Sequence, residues 1–285
     1  MTRCQFKPHR CGRRARHAKY CNHHIRLLHG PFAAEHDGYK SPTEDRHQII
    51  HTADISVLCV FDGHGGQAVS DFVNRILPGR IYDRVKSQTD ADVIARILQE
   101  EFLKMNAEIY AKCTGCTGTV SVVSPTHIIT CHVGDSPAIL FQSTLLQSTT
   151  DHNCSNAAEI ERMRIANNPF TNHYTASLLA VSRSFGDKGH PGVIAEGQIS
   201  IWQRPKNAYL AVLSDSFTEA LKDEPHLHIS AYLTREDIVE ELLESLRATT
   251  TLKEAVQRAV NRRVEKFHIN GKYCGDNTTL ILYKI

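Results

Sequence analysis

Three fragments far apart in the chain, Val60-Phe61-Asp62-Gly63-His64-Gly65-Gly66, Leu213-Ser214-Asp215 and Gly275-Asp276-Asn277, each place an aspartate at the end of a buried-looking apolar run. A fold that satisfies all three must gather carboxylates from separate strand ends. Such a set suits a hard divalent cation, because Mg²⁺ and Mn²⁺ take oxygen ligands and are held by a few carboxylates plus water. One Asp-Gly is only a turn. Three strand-end aspartates with the Glu44-Asp45 pair upstream are far more specific, and together they look like a two-metal site.

The rest of the chain supplies a frame for them. Runs rich in β-branched residues at 56–61, 117–123, 127–133, 138–141, 209–213 and 279–283 read as strands, and Ser124-Pro125 between two of them reads as a hairpin turn. Apolar residues spaced by three and four over 91–112, 235–247 and 252–267 predict amphipathic helices. Strands grouped together and helices grouped elsewhere indicate an α+β fold rather than regular βαβ alternation. A hydrophobic content of 41% is ample for a core, and no apolar run reaches the roughly 20 residues of a membrane span. A soluble intracellular protein, cytoplasmic or nuclear, is expected.

The net charge of +2 hides an asymmetry. Eight basic residues precede the first acid, Glu35, so the remainder holds 25 basic against 31 acidic residues. The nine cysteines are an odd number, and Cys59 and Cys131 fall inside apolar runs, which argues against a disulfide framework. Cys113-Thr114-Gly115-Cys116 spells C-x-x-C, but no strand precedes it to form a redox turn. Residues 1–30 form a separate basic block in which Cys4, Cys11, Cys21 and His24 make a zinc ligand set; a disordered basic tail is the bland alternative, and His9, His17 and His23 leave the fourth ligand open. The domain division expected is therefore 1–30, a zinc-binding segment with one structural Zn²⁺, and 31–285, a catalytic body. The basic head suits an acidic protein, a nucleic acid or the chain's own acidic body.

Seven short blocks in one order carry a resemblance. They are Gly38-Tyr39-Lys40-Ser41-Pro42-Thr43-Glu44-Asp45, Phe61-Asp62-Gly63-His64-Gly65-Gly66, Val133-Gly134-Asp135-Ser136, Thr150-Asp151-His152, the segment from Leu179 through Ser182-Arg183-Ser184-Phe185-Gly186-Asp187, Ser214-Asp215 and Asp276-Asn277. From roughly Asp37 to the last residue the chain resembles the metal-dependent protein serine/threonine phosphatases of the type 2C family. The resemblance implies a four-layer αββα sandwich whose two antiparallel sheets enclose a dinuclear Mg²⁺ or Mn²⁺ site. It implies that Asp62 bridges both ions, with Glu44 and the Gly63 carbonyl completing one and Asp215 and Asp276 the other. It also implies hydrolysis of phosphoserine and phosphothreonine in proteins by a metal-bridged hydroxide, with His64 as general acid and Lys40 gripping phosphate. Asp135 resembles a ligand for a weaker third metal, with turn formation by Gly-Asp-Ser as the alternative. Asp151, Arg183 and Asp187 read as structural.

Some positions depart from the family pattern. Lys40 stands where the family usually has arginine, so a point charge replaces a planar fork. Ser216 stands where glycine usually follows the third aspartate, which would strain a turn needing positive φ. His132 and Pro137 flank Gly134-Asp135-Ser136 where Asn and Arg are usual, and 187–200 is short for a substrate-facing flap. These departures leave room for a silent relative that binds phosphoproteins without turnover. A nucleic-acid or partner-binding protein acting through its basic head is the other rival reading.

Overall fold

The computed structural model describes residues 30–38, 42–171, 174–220, 231–266, 268–269, 272–273 and 276–285. Cys4, Cys11, Cys21, His24 and Lys40 lie outside the described residues.

Two five-stranded sheets form the centre. The first holds β1 (Phe32–His36), β6 (Ala138–Phe141), β7 (Leu145–Ser148), β9 (Tyr209–Leu213) and β10 (Thr278–Lys284), in the spatial order β1-β10-β9-β6-β7. The second holds β2 (Arg46–His51), β3 (Ser56–Phe61), β4 (Gly118–Val123), β5 (His127–Val133) and β8 (Gln198–Gln203), in the order β8-β5-β4-β3-β2. All pairings within both sheets are antiparallel.

Why these runs layer as they do is visible in β3, whose six residues are all buried. Successive side chains of a strand point to opposite faces. Val57, Cys59 and Phe61 join a core shared with helices, whereas Leu58 and Val60 join a core shared with the other sheet. That inter-sheet core also takes Ile128, Leu140, Leu210, Val212 and Ile281. Each such aliphatic side chain contributes roughly 1.5–3 kcal/mol when removed from water. On the outer face of the second sheet lie α1 (Ala68–Val85) and α2 (Ala91–Ala107), which supply Val73, Leu77, Leu98 and Phe102. A short α3 (Ala157–Ile165) follows later in the chain. The outer face of the first sheet is covered by α4 (Arg235–Arg247) and α5 (Leu252–Lys266), which supply Leu242, Val256 and Val260. The order of layers is helix, sheet, sheet, helix.

Helix starts follow from local chemistry. The Asp90 side chain accepts from the backbone N–H groups of Asp92 and Val93 ahead of α2, and Thr234 with Asp237 closes a capping box at α4. The expected 91–112 helix ends at Ala107, where the Glu108 N–H turns back onto the Met105 carbonyl. Helix α1 was hidden from periodicity reading by Pro78 and Gly79 within it, although its buried Val69, Val73, Leu77, Ile81 and Val85 recur every four residues.

One expectation about position is corrected. Asp276 precedes its strand instead of following it. It still arrives beside Asp215 because β9 and β10 are antiparallel, with Leu213 opposite Leu280, so the start of one strand lies next to the end of the other.

Candidate active site

Four aspartates meet where β2 and β10 begin and β3 and β9 end. Asp62 follows Phe61, Asp215 opens a 3-10 turn (Asp215–Phe217) after β9, Asp276 lies two residues ahead of β10, and Asp45 immediately precedes Arg46. The Asp215 backbone N–H donates to Asp62 Oδ2 at 3.4 Å. Thr279 Oγ1 donates to Asp45 Oδ2 at 2.7 Å. Burial pushes the Asp62 carboxyl well above the usual range, and the negative charges of Asp215, Asp45 and Asp276 push it further. Asp45 is raised to about 6, where burial and the Asp276 charge outweigh hydrogen bonds with Thr279, Asp62 and Ser214. The cluster is therefore short of positive charge. Asp45 Oδ1 is buried with no hydrogen-bond partner among the described residues. As the side chains stand, no group of three or more His, Cys, Asp or Glu among the described residues is arranged to hold a metal ion.

Glu44 and Gly63 sit against this cluster and against each other. The Glu44 N–H donates to Asn277 Oδ1 at 2.8 Å, and the Glu44 carbonyl accepts from Ser70 Oγ at 2.6 Å. Asn277 Nδ2 also donates to the Asp37 carbonyl, so one amide ties the Glu44 segment to the start of β10. A Cβ at Gly63 would lie 2.6 Å from the Glu44 carbonyl oxygen and 2.9 Å from Ser70 Oγ. Glycine is needed here for close approach.

His64 follows on the short strand Gly63–His64, which pairs with Gly115–Cys116. Its Nε2 lies 2.6 Å from Asp187 Oδ2. Asp135 is buried farther along, where it accepts from Asn153 Nδ2 at 3.3 Å and is raised by burial. Behind it, His132 and His152 stack with ring centroids 4.5 Å apart. Burial lowers His132 to about 4 and His152 to about 3, the latter helped by the neighbouring His132. Asp151 pairs with Arg235 across the chain, yet burial lifts its carboxyl to about 7. A cleft of about 410 Å³ opens beside these groups, lined among others by Asp151, Asn153, Thr218, Thr234 and Arg235.

Comparison with known proteins fixes the family. The family model "Protein phosphatase 2C" matches residues 30–263, which is most of the chain. This chain belongs to the protein phosphatase 2C family. The match contains Glu44, Asp62, His64, Asp135 and Asp215 and ends before Asp276. "Probable protein phosphatase 1N" of Homo sapiens is 31% identical over 166 residues, covering 55% of this chain and 38% of the human protein. "Probable protein phosphatase 2C 3" of Paramecium tetraurelia is 26% identical over 290 residues, covering 88% of this chain and 91% of that one. The chain thus spans well under half of the human relative's length. Among solved structures, a phosphatase from Toxoplasma gondii superposes with a TM-score of 0.70 at 17% identity, over 90% of this chain and 92% of that one. That likeness establishes the α+β fold of antiparallel sheets and helices.

Within this phosphatase 2C-family frame, three points from the sequence reading change. Ser216 lies in the 3-10 turn and is absent from the positive-φ residues, so no strain arises from its Cβ; it is buried, with its Oγ 3.2 Å from Ser214 Oγ. Asp187, read as structural, touches His64. Asp45, named only as half of an acidic pair, is the more deeply engaged member, and Asn277 is the clamp on the other. The signal for both was adjacency: Asp45 follows Glu44 and Asn277 follows Asp276. Arg183, also read as structural, bonds Glu159, whose carboxylate is lowered to about 2 because hydrogen bonds from Arg183, Arg162 and Ser182 overcome burial. Cys116 is buried with its thiol pushed well up by burial, away from the reactive thiolate form, and Cys113 is exposed.

Proposed function

We propose that this chain is a metal-dependent phosphatase that hydrolyses phosphoserine and phosphothreonine in proteins. The observation that carries the reading is the group of the buried Asp45 with the half-buried Asp62, Asp215 and Asp276, in which burial first and then the like charges of its neighbours raise the Asp62 carboxyl well above the usual range. Buried carboxylates in mutual repulsion are costly unless cations offset them. The donor set is all oxygen, which fits Mg²⁺ or Mn²⁺ better than zinc. Glu44, Asp62 and the Gly63 carbonyl would hold one ion and Asp62, Asp215 and Asp276 a second; Asp135 would help hold a third. Mg²⁺ or Mn²⁺, when bound, supplies acidification of water and charge neutralisation at the phosphoryl group.

The chain's own residues account for the rest. His64, two residues beyond Asp62, protonates the seryl or threonyl oxygen that leaves. Asn277 and Ser70 hold Glu44 in place through its backbone, so that the carboxylate is presented from a fixed segment. Lys40 binds the phosphate as a point charge. Residues 31–285 act as the catalytic body, and residues 1–30 hold one structural Zn²⁺ through Cys4, Cys11, Cys21 and His24. The partners are phosphorylated proteins, with an acidic protein or nucleic acid met by the basic head, in the cytoplasm or nucleus. No helix among the described residues is long and apolar enough to cross a membrane.

The test is phosphate release from a phosphothreonine peptide with Mn²⁺ and with EDTA. Turnover that requires Mn²⁺ supports the reading, and turnover that survives EDTA ends it.

A further inference from the structure

The contact between His64 and Asp187 is built, not incidental. Asp187 Oδ2 lies 2.6 Å from His64 Nε2, and the same oxygen accepts from Ser184 Oγ at 2.5 Å. The Asp187 side chain is completely buried, whereas that of His64 keeps 27% of its surface exposed, so a partly exposed ring is anchored on a buried carboxylate. Asp187 Oδ1 is buried with no hydrogen-bond partner among the described residues. Asp187 also adopts φ +50°, uncommon for a residue with a side chain; its N–H donates to the Thr114 carbonyl at 3.1 Å and its carbonyl accepts from His190 N–H at 2.9 Å. Space for the pair is reserved by Gly115, which lies between His64 and Gly186 in a three-stranded sheet. A Cβ there would overlap Asp187 Oδ2 and sit 2.6 Å from His64 Nε2.

We propose that Asp187 is a positioning residue for His64: it accepts a hydrogen bond from Nε2–H, fixes the ring and leaves Nδ1 as the nitrogen offered to the leaving oxygen of the substrate. The inference rests on the phosphatase reading for its catalytic meaning. In the step it serves, a water oxygen bonds to phosphorus as the bond from phosphorus to the seryl oxygen breaks. The seryl oxygen takes a proton from Nδ1, and the ring is left neutral with its remaining proton on Nε2, held by Asp187. Asp187 itself gives up nothing. A carboxylate that selects one tautomer and one orientation of an imidazole is a recurrent way to set up proton transfer.

The experiment compares full-length wild type, Asp187→Ala, Ser184→Ala, His64→Gln and the Asp187→Ala/His64→Gln double variant, each first checked for cooperative melting. With Mn²⁺, kcat of Asp187→Ala on a phosphothreonine peptide should fall about 10- to 100-fold, with little change on para-nitrophenyl phosphate, whose leaving group hardly needs a proton. Ser184→Ala should show the same pattern more weakly, and the double variant should be no slower than His64→Gln. Equal losses on both esters, or additive losses in the double variant, overturn the proposal. A second arm needs no turnover. Long-range ¹H–¹⁵N NMR with Mg²⁺, with His64→Gln assigning the signals, should show neutral His64 as the Nε2–H tautomer in wild type and as a mixture in Asp187→Ala. An unchanged tautomer in Asp187→Ala also overturns it. Wild-type protein inactive on both esters would remove the phosphatase reading while the NMR arm still decides the pairing.

Discussion

At Asp62 the chain accepts a local cost that a simple folding optimum would avoid. Its half-buried carboxyl faces Asp215, Asp45 and Asp276, and loss of solvent together with their repulsion raises its pKa well above the ordinary one. Asp62→Asn removes one of those charges without changing shape, so in EDTA it should melt higher than wild type, by about 1–2 kcal/mol. The same variant should lose turnover and the thermal shift that Mn²⁺ gives wild type. A lower melting point in EDTA would show that the cluster is not under charge stress. His132 gives a second residue-scale expectation. Its Nε2 donates to the Thr150 carbonyl at 2.9 Å, and burial lowers its pKa to about 4. In the unfolded chain the ring titrates near the ordinary value of about 6.5, so its neutral form stabilises the fold fully above that pH, and this contribution is lost as pH falls through about 4. The buried carboxylates act with the opposite sign, which makes the comparison with His132→Asn the informative one. The stability of wild type relative to His132→Asn should fall by about 3 kcal/mol between pH 7 and pH 4 in urea titrations. A difference that stays flat with pH would remove His132 from the acid response.

At the scale of elements, the site depends on helix α5 although no part of that helix belongs to the carboxylate group. Arg263 of α5 is 2% exposed, and its Nε donates to the Ser216 carbonyl at 2.9 Å, with Glu241 of α4 at 3.6 Å from Nη1. Ser216 is the residue after Asp215, so a guanidinium supports from behind the turn that aims that carboxylate. Truncating one partner of a buried charged contact costs about 3–5 kcal/mol. Arg263→Ala should lose stability on that scale, and at a temperature where it remains folded its Mn²⁺ activation should need more metal. Unaltered Mn²⁺ dependence would mean that the turn holds its shape without Arg263. The hairpin joining β4 and β5 makes the converse point: Val123 pairs with Ile128 and Ser124 N–H meets the His127 carbonyl, as Ser124-Pro125 foretold, because turn chemistry is local.

For the whole molecule, the expected separation of metals is between a basic head rich in thiols and an acidic body rich in carboxylates. Thiolate and imidazole select zinc, whereas carboxylates suit Mg²⁺ or Mn²⁺, so the two kinds of ion need not exchange. Purified protein should carry about one equivalent of zinc that is lost on Cys11→Ser and Cys21→Ser. Removing residues 1–30 should leave Mn²⁺-dependent peptide dephosphorylation largely intact. A folded truncation that has lost that activity would join head and body into one machine.

What the sequence determined by itself was the inventory and the local geometry. The runs at 56–61, 127–133, 138–141 and 209–213 coincide with β3, β5, β6 and β9, because β-branched runs bounded by turn residues specify a strand without outside help. The order of motifs likewise identified the family, since seven short blocks in one order do not arise from composition. The tertiary structure decided which residues meet. That Asp276 approaches Asp215 from the start of a strand follows from antiparallel pairing, which links positions far apart in the chain. That Asp187 belongs to His64 and that Asn277 holds Glu44 follow from contacts 123 and 233 residues apart. No periodicity encodes such pairs, because periodicity records which face of an element is buried, and these contacts depend on how separate elements are packed against one another.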